Sequence, residues 1–263
     1  MFDCGAIVQQ WRPERIFITH THSDHVNRVT HVVSRRKPPT IYVPQSAKGL
    51  VEGYINAHQA MTDNRPLSEL LEAMQRGHPD WTVNRNMVPV SVGDKLQINK
   101  GNSIYRVEVI KCEHYVDCIG YCIYEVRKGL KEQYKGLPGK EIAALRKSGV
   151  EINEEIEKPL FVFMGDTTTA VFQNYPEIFK FPAIITECSF FKDEHKPSAD
   201  KSKHTFWGDL EPFIKSNPNT CFILIHFSLR YSSHEIIEFF ASQSLPNVVP
   251  FIDPNDTTKW LDE

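Results

Sequence analysis

A chain of 263 residues, 41% hydrophobic and 24% charged, can bury a substantial core and has the balance of a soluble globular protein. Its formal net charge of −3 excludes a global positive field, so an anionic partner must be recognised locally. The six cysteines form no CxxC pair and sit mostly in apolar runs, which reads as buried reduced thiols rather than a disulfide scaffold.

No apolar run approaches the ~18 residues needed to span a bilayer, and Met1-Phe2-Asp3-Cys4-Gly5 lacks the features of a signal peptide. The expectation is an intracellular, soluble protein without a membrane partner, with cytoplasm, nucleus and organelle all open. β-Branched and aromatic runs alternate with helical patterns, as in layered α/β structure. In chain order, a strand is expected at Arg15–Thr19, a helix over Asp24–Val33, a strand over Thr40–Val43, and helices over Gln45–Ala60 and Pro66–Arg76. Strands over Ile104–Cys112 and Ile119–Val126 follow, then a helix over Lys140–Lys147 and strands over Leu160–Met164 and Ala183–Glu187. The last elements are a helix over Trp207–Ser216, a strand over Cys221–His226, a helix over Ser233–Ser242 and a strand over Val248–Ile252.

One interval differs from the rest. Arg127, Lys128, Lys131, Lys135, Lys140, Arg146 and Lys147 stand against only Glu132 and Glu141, and an acidic stretch, Glu151–Glu157, follows. Lys135-Gly-Leu-Pro-Gly-Lys140 reads as a turn or loop. The interval is taken as an insertion within one domain spanning residues 1–263.

The chemistry concentrates in His20-Thr21-His22-Ser23-Asp24-His25, directly after the first strand. Alternate side chains of an extended segment face the same way, so His20 and His22 converge on one ion. Asp24 and His25 then enter a turn and point to a second ion nearby. A set of imidazoles and carboxylates without thiolate suits zinc, with manganese or iron as alternatives. His114, Asp166 and His226 recur in the same structural place, each just past a strand, where α/β sheets gather binding residues. Taken singly, these three read equally well as a surface residue, a turn former and a core histidine. Together they complete a two-metal set. His31, His58, His78, His195 and His234 find no place in it and are read as surface or structural residues.

The order HxHxDH … H … GD … H resembles the metallo-β-lactamase superfamily, which implies a four-layer αββα sandwich with metals at one edge. Phe2-Asp-Cys-Gly5, the segment from Glu113 to Tyr121, Thr186-Glu-Cys-Ser-Phe190 and His226-Phe-Ser-Leu-Arg-Tyr231 are similar to segments of one branch, the tRNA 3′-end processing endonucleases (tRNase Z, or ribonuclease Z). The similarity runs, with gaps, from about residue 2 to residue 240. It implies that His20, His22 and His114 hold one metal, that Asp24, His25 and His226 hold the second, and that Asp166 bridges them. It also implies a catalytic role for Asp24 and for His204 with Glu187, and places Ser228 and Arg230 near the scissile phosphate. Residues 125–158 fall where the branch inserts an RNA-gripping arm, so Arg127, Lys128, Lys131, Lys135 and Lys140 become candidate RNA contacts. A reduced arm is expected, and the alternative for these residues is a solvated face. Homodimers are common in the short enzymes of this branch.

Two departures bear on the substrate. The branch has strands and turns before its Phe-Asp-Cys-Gly segment, so the first sheet is expected to lack its first N-terminal strands. The branch's Glu-Gly-Thr is replaced by Ala6-Ile7-Val8. The leading expectation is a dizinc phosphodiesterase that removes the 3′ trailer from precursor tRNA. The alternatives are a hydrolase of a small phosphodiester or thioester and, behind it, a non-catalytic binding scaffold.

Overall fold

The computed structural model describes residues 1–5, 12–33, 37–76 and 86–253. Its first layer-forming unit is a parallel sheet of β1 (Arg15–Phe17), β2 (Thr40–Pro44) and β3 (Asn86–Val90), in that order. Helices α1 (Ser23–Val26), α2 (Val29–Val33), α3 (Lys48–Thr62) and α4 (Leu67–Arg76) belong to the same half. Val51, Ile55 and Ala60 are buried on α3, and Val51 and Ile55 join Ile16, Ile18, Val29, Ile41 and Val43 in one cluster.

The second unit is a seven-stranded sheet in the order β10-β9-β8-β7-β6-β5-β4. Here β4 (Lys95–Lys100), β5 (Ser103–Cys112), β6 (Cys118–Leu130) and β7 (Asn153–Phe163) pair antiparallel, while β7, β8 (Ala183–Glu187), β9 (Cys221–Ile225) and β10 (Val248–Pro250) pair parallel. Helix α5 (Gly139–Lys147) joins β6 to β7. Helices α6 (Ala170–Asn174), α7 (Lys196–Ser202), α8 (Trp207–Ser216) and α9 (Ser233–Ser242) complete this half. Phe172, Trp207, Leu210, Ile214, Ile236 and Phe240 pack on the outer face of the sheet with Val162, Ile184, Phe222 and Leu224.

A third cluster lies between the sheets. It joins Phe17, Tyr42 and Val90 of the small sheet to Val107, Val109, Ile119, Tyr121 and Ile123 of the large one. With helices outside both sheets, the result is the expected αββα sandwich. Among the described residues the small sheet has three strands, and Phe2 forms an isolated bridge beside Phe17. The Phe2 ring stacks on Phe17 and Phe163, with centroids 5.4 and 4.5 Å apart, so the N-terminal segment fills the layer between the sheets.

Several elements differ from the sequence expectation. The single helix expected over Asp24–Val33 breaks at Asn27 and Arg28, because the Arg28 N–H donates to the Cys4 carbonyl at 2.8 Å rather than continuing the ladder. Gly5 permits this docking: a Cβ there would lie 1.4 Å from the Asp24 carbonyl oxygen. Strands β3 and β4 and helices α6 and α7 were not foreseen, and β6 and β7 extend past their expected ends at Val126 and Leu160.

Those extensions form the residue 125–158 interval. Lys128 pairs across from Glu155 and Glu125 from Lys158, and Arg106 bonds both Glu155 (3.5 Å) and Glu157. The acidic run therefore lies along the basic one and offsets its charge. Arg127 is tied to Glu125 at 2.6 Å and Lys135 to Glu132 at 2.5 Å, while α5 buries none of its residues. Among the described residues, no helix is long and apolar enough to cross a membrane.

Phe2→Ala is expected to lower stability by about 2–4 kcal/mol, from lost burial plus the cavity left between the sheets. Urea unfolding reads this as a lower midpoint at an unchanged slope.

Candidate metal centre

Strand ends supply the site. Thr19 and His20 follow β1, His114 sits in the turn between β5 and β6, and Asp166 follows β7. Glu187 ends β8 and His226 follows β9. The two sheets are tied at this edge by the Ile119 N–H donating to the Thr19 carbonyl (3.0 Å) and the Tyr121 hydroxyl donating to the Ile18 carbonyl (2.6 Å). Gly165 keeps the edge tight, since a Cβ would fall 2.5 Å from the Cys118 Sγ and 2.6 Å from the Thr19 Cβ.

The seven residues singled out as ligands come together. Donor atoms of His20, His22, His114 and Asp166 lie within 4.8 Å of one another, as do those of Asp24, His25 and His226. Asp166 stands between the groups. Its Oδ2 is 3.6 Å from His20 Nε2, 3.8 Å from His114 Nε2 and 3.6 Å from His226 Nε2, and its Oδ1 is 3.4 Å from His25 Nε2.

Hydrogen bonds behind the rings fix which nitrogen faces inward. His25 Nδ1 donates to Asp3 Oδ2 at 2.7 Å. His20 Nδ1 lies 3.0 Å from Thr19 Oγ1, whose hydroxyl donates to the same Asp3 oxygen at 2.9 Å. His226 Nδ1 meets Ser189 Oγ at 3.0 Å, and Ser189 donates to Glu187 Oε2 at 2.7 Å. His114 Nδ1 donates to the Lys203 carbonyl at 3.1 Å. With Nδ1 protonated in all four, each Nε2 turns a lone pair into the site. His22 is the reverse case: its Nδ1 faces His114 Nε2 at 3.2 Å.

This arrangement fits divalent cations. The Nε2 of His20 is buried and has no hydrogen-bond partner. His25 Nε2 and His226 Nε2 face each other at 3.4 Å, and His226 Nε2 faces Asp24 Oδ2 at 3.1 Å. Acceptors this close require a proton or a cation between them. Without a metal, the demand falls on protons. Burial pushes His20 down to about 3, with His25 adding to the effect. Burial also opposes charge on His25, but hydrogen bonds to Asp166, Asp24 and Asp3 outweigh it and push the group up to about 12. Hydrogen bonds from His226 and His25 hold Asp24 well below the usual carboxylate range. Nitrogen and oxygen donors without thiolate match divalent metals such as zinc, manganese or iron.

His204 lies at the same edge, close to Asp166 and His226. Its Nδ1 is 3.0 Å from both oxygens of Glu187, a carboxylate only 1% exposed. Glu187 also accepts from Thr167 N (2.7 Å) and Thr205 N (3.1 Å), so it is held in place from several sides. Burial opposes protonation of His204, but its bond to Glu187 raises the pKa. Ser228 and Arg230 follow His226. The Ser228 N–H donates to the Ser189 carbonyl at 3.0 Å, and the exposed Arg230 guanidinium lies 5.7 Å from the centre of the Phe190 ring. His226 itself has φ +60, a left-handed backbone uncommon outside glycine and typical of functional turns.

Asp3, Thr19 and Ser189 were not singled out by sequence. Asp3 and Ser189 lie in segments that carry the resemblance, which was the available signal; nothing marked Thr19. The remaining histidines stay out of the cluster. His31 and His58 pair at 6.0 Å, His234 pairs with Glu238 at 3.3 Å, and His195 Nδ1 meets the Tyr231 hydroxyl at 2.5 Å. His78 and Ala6-Ile7-Val8 lie outside the described residues.

No family model matches the chain. Among solved structures, the metallo-β-lactamase fold protein YhfI from Bacillus subtilis superposes with a TM-score of 0.54 at 13% identity, covering 94% of this chain and 82% of that one. Human tRNase Z, short form, gives 0.52 at 14% identity, covering 96% and 85%. These define the fold: an αββα metallo-β-lactamase sandwich. At the sequence level, tRNase Z TRZ1 of Arabidopsis thaliana is 32% identical over 232 residues, which cover 84% of this chain and 75% of that protein. The chain belongs to the tRNase Z (ribonuclease Z) family, and so to the metal-dependent hydrolases of this fold.

Asp3→Asn tolerates the left-handed backbone at φ +50 but removes the charge that orients His25 and Thr19. Zinc affinity, measured by competition with a chromogenic chelator, is expected to fall about 10–100-fold while circular dichroism stays native.

Proposed function

We propose that the chain is a dizinc phosphodiesterase that removes the 3′ trailer of precursor tRNA by endonucleolytic cleavage. The observation that carries this reading is the double donor set around Asp166, with His204 on Glu187 beside it. Family membership points to RNA as the substrate. His20, His22 and His114 would hold one ion, Asp24, His25 and His226 the other, and Asp166 would bridge. When bound, two divalent ions supply a nucleophile at neutral pH and neutralise charge on the phosphate.

The chain's own residues have separate tasks. Asp24, 59% exposed, reaches toward solvent from the second group and can accept a proton from the attacking water. His204, held by Glu187 through Nδ1, keeps Nε2 free to give a proton to the departing oxygen. Arg230 carries a fork of donors suited to a phosphate, and Ser228 supports it by accepting from the Arg230 N–H at 3.4 Å. Arg127, Lys128, Lys131, Lys135 and Lys140 would contact the RNA backbone through the residue 125–158 arm. Since Arg127 and Lys135 already have acidic partners, the arm's contribution should be modest.

A gel assay with 3′-extended precursor tRNA tests the reading. The expected result is one endonucleolytic cut near the discriminator position with zinc or manganese. Intact RNA beside rapid cleavage of a chromogenic aryl phosphodiester would instead mark a small-phosphodiester hydrolase.

Two variants separate the roles. Asp166→Ala should abolish activity and lower the metal content, because it removes a donor from both groups. His204→Ala should lose about 10²–10⁴-fold in kcat while keeping about two metals per chain by elemental analysis. Metal loss in His204→Ala would make it a ligand rather than a proton donor.

A further inference from the structure

On the outer side of the metal motif lies a groove of about 440 Å³, lined by Thr21, Ser23, Val26, Asn27, Leu50, Val51 and Tyr54. Its size falls within the ~300–1,000 Å³ of small-ligand sites. We propose that it is a nucleobase subsite, in which a base flanking the scissile phosphate stacks on Tyr54; the inference rests on the RNA-cleaving reading above.

The position follows from the motif itself. Thr21 and Ser23 alternate with His20, His22 and Asp24, so groove and metal cluster share a single run of backbone as their wall. Under the proposal, the base next to a phosphate held at the cluster crosses this shared wall into the groove. The chemistry of the lining selects the occupant. Buried Val26 and Val51 form an apolar floor, and among the described residues no charged side chain lines the groove, which disfavours a phosphate or a carboxylate. Leu50 and Tyr54, one turn apart on α3, are 68% and 40% exposed, so an aliphatic and an aromatic group stand open beside it. The Tyr54 hydroxyl donates to the Asn27 carbonyl at 3.2 Å, which fixes the ring against the turn after α1. The Asn27 amide and the Thr21 and Ser23 hydroxyls at the rim can meet the polar edge of a base. A flat, neutral heteroaromatic with a polar edge fits this lining, and stacking of this kind tolerates any of the four bases.

The test uses the full chain with zinc and 3′-extended precursor tRNA. The nucleotide on either side of the cleaved bond is replaced in turn by an abasic residue or by 2-aminopurine. With Tyr54 present, removing the base at one of the two positions should lower kcat/KM about 5- to 30-fold. In Tyr54→Ala the same removal should cost less than about twofold, because the partner of the base is already gone. Binding is read separately in the His204→Ala background, which holds the RNA uncleaved. There 2-aminopurine fluorescence should be quenched at that position, lost in Tyr54→Ala and kept in Tyr54→Phe, which retains the ring without the hydroxyl. Leu50→Ala should weaken the quenching without touching the Tyr54–Asn27 bond.

Equal abasic penalties with and without Tyr54, or no quenching at either position, overturn the subsite while leaving RNA cleavage intact. A change from dimer to monomer in Tyr54→Ala, with the abasic penalty unchanged, assigns the groove to a second copy and also overturns it. If the wild-type chain neither binds nor cuts the RNA, the RNA reading falls and the subsite with it.

Discussion

Two carboxylates, the half-buried Asp3 and the buried Glu187, set the orientation on which the site depends. Asp3 accepts from His25 directly and from His20 through Thr19. Glu187 accepts from His204 directly and from His226 through Ser189. The two halves of the sandwich thus each provide one acid, one hydroxyl and two imidazoles. Each relay holds a proton on Nδ1 and leaves the remaining nitrogen free to work. For His20, His25 and His226 that nitrogen faces other acceptors, an arrangement stable only with positive charge in the middle.

The fold exists, in this sense, to hold those relays in register. Asp3 reaches the site because the N-terminal segment docks between the sheets through Phe2 and against α1 through Cys4 and Gly5. Glu187 reaches it because β8 is a central strand of the large sheet, paired with β7 and β9. Lys203, left-handed at the end of α7, turns its carbonyl to His114 and delivers His204 one residue later. Small shifts in any of these would turn a lone pair away from the cluster. Close packing at Gly5 and Gly165, where even a methyl group has no room, opposes such shifts.

The clustering of the candidate ligands was legible because metal chemistry restricts residue type and strand ends restrict place. His20, His114, Asp166 and His226 stand within three residues of a strand end, His22 lies in the loop after β1, and Asp24 and His25 open the short helix α1 that follows it. Of the acids behind them, Glu187 was named from the resemblance, whereas Asp3 was less legible, since a lone aspartate carries no spacing signal of its own. Strand β3 was hidden by Pro89, which is tolerated because β3 is the last strand of its sheet. Strand β4 was hidden by its polar sequence, Lys95-Leu-Gln-Ile-Asn-Lys100, which suits an edge strand. The long ends of β6 and β7 were hidden because charge pairing across the hairpin, rather than apolar alternation, accompanies them.

The most direct measurement is the protonation state of the site histidines in the zinc-loaded protein, read by long-range ¹H–¹⁵N NMR correlation. The account predicts Nδ1–H for His20, His25, His114 and His226, with zinc on Nε2, and the opposite tautomer for His22. His204 should carry a proton on Nδ1, against Glu187, and in the cationic form that acts as the acid a second proton on Nε2. A zinc-loaded protein with Nε2–H at His25 or His226 would contradict the account, because the relays through Asp3 and Glu187 would then not be what aims the metal ligands.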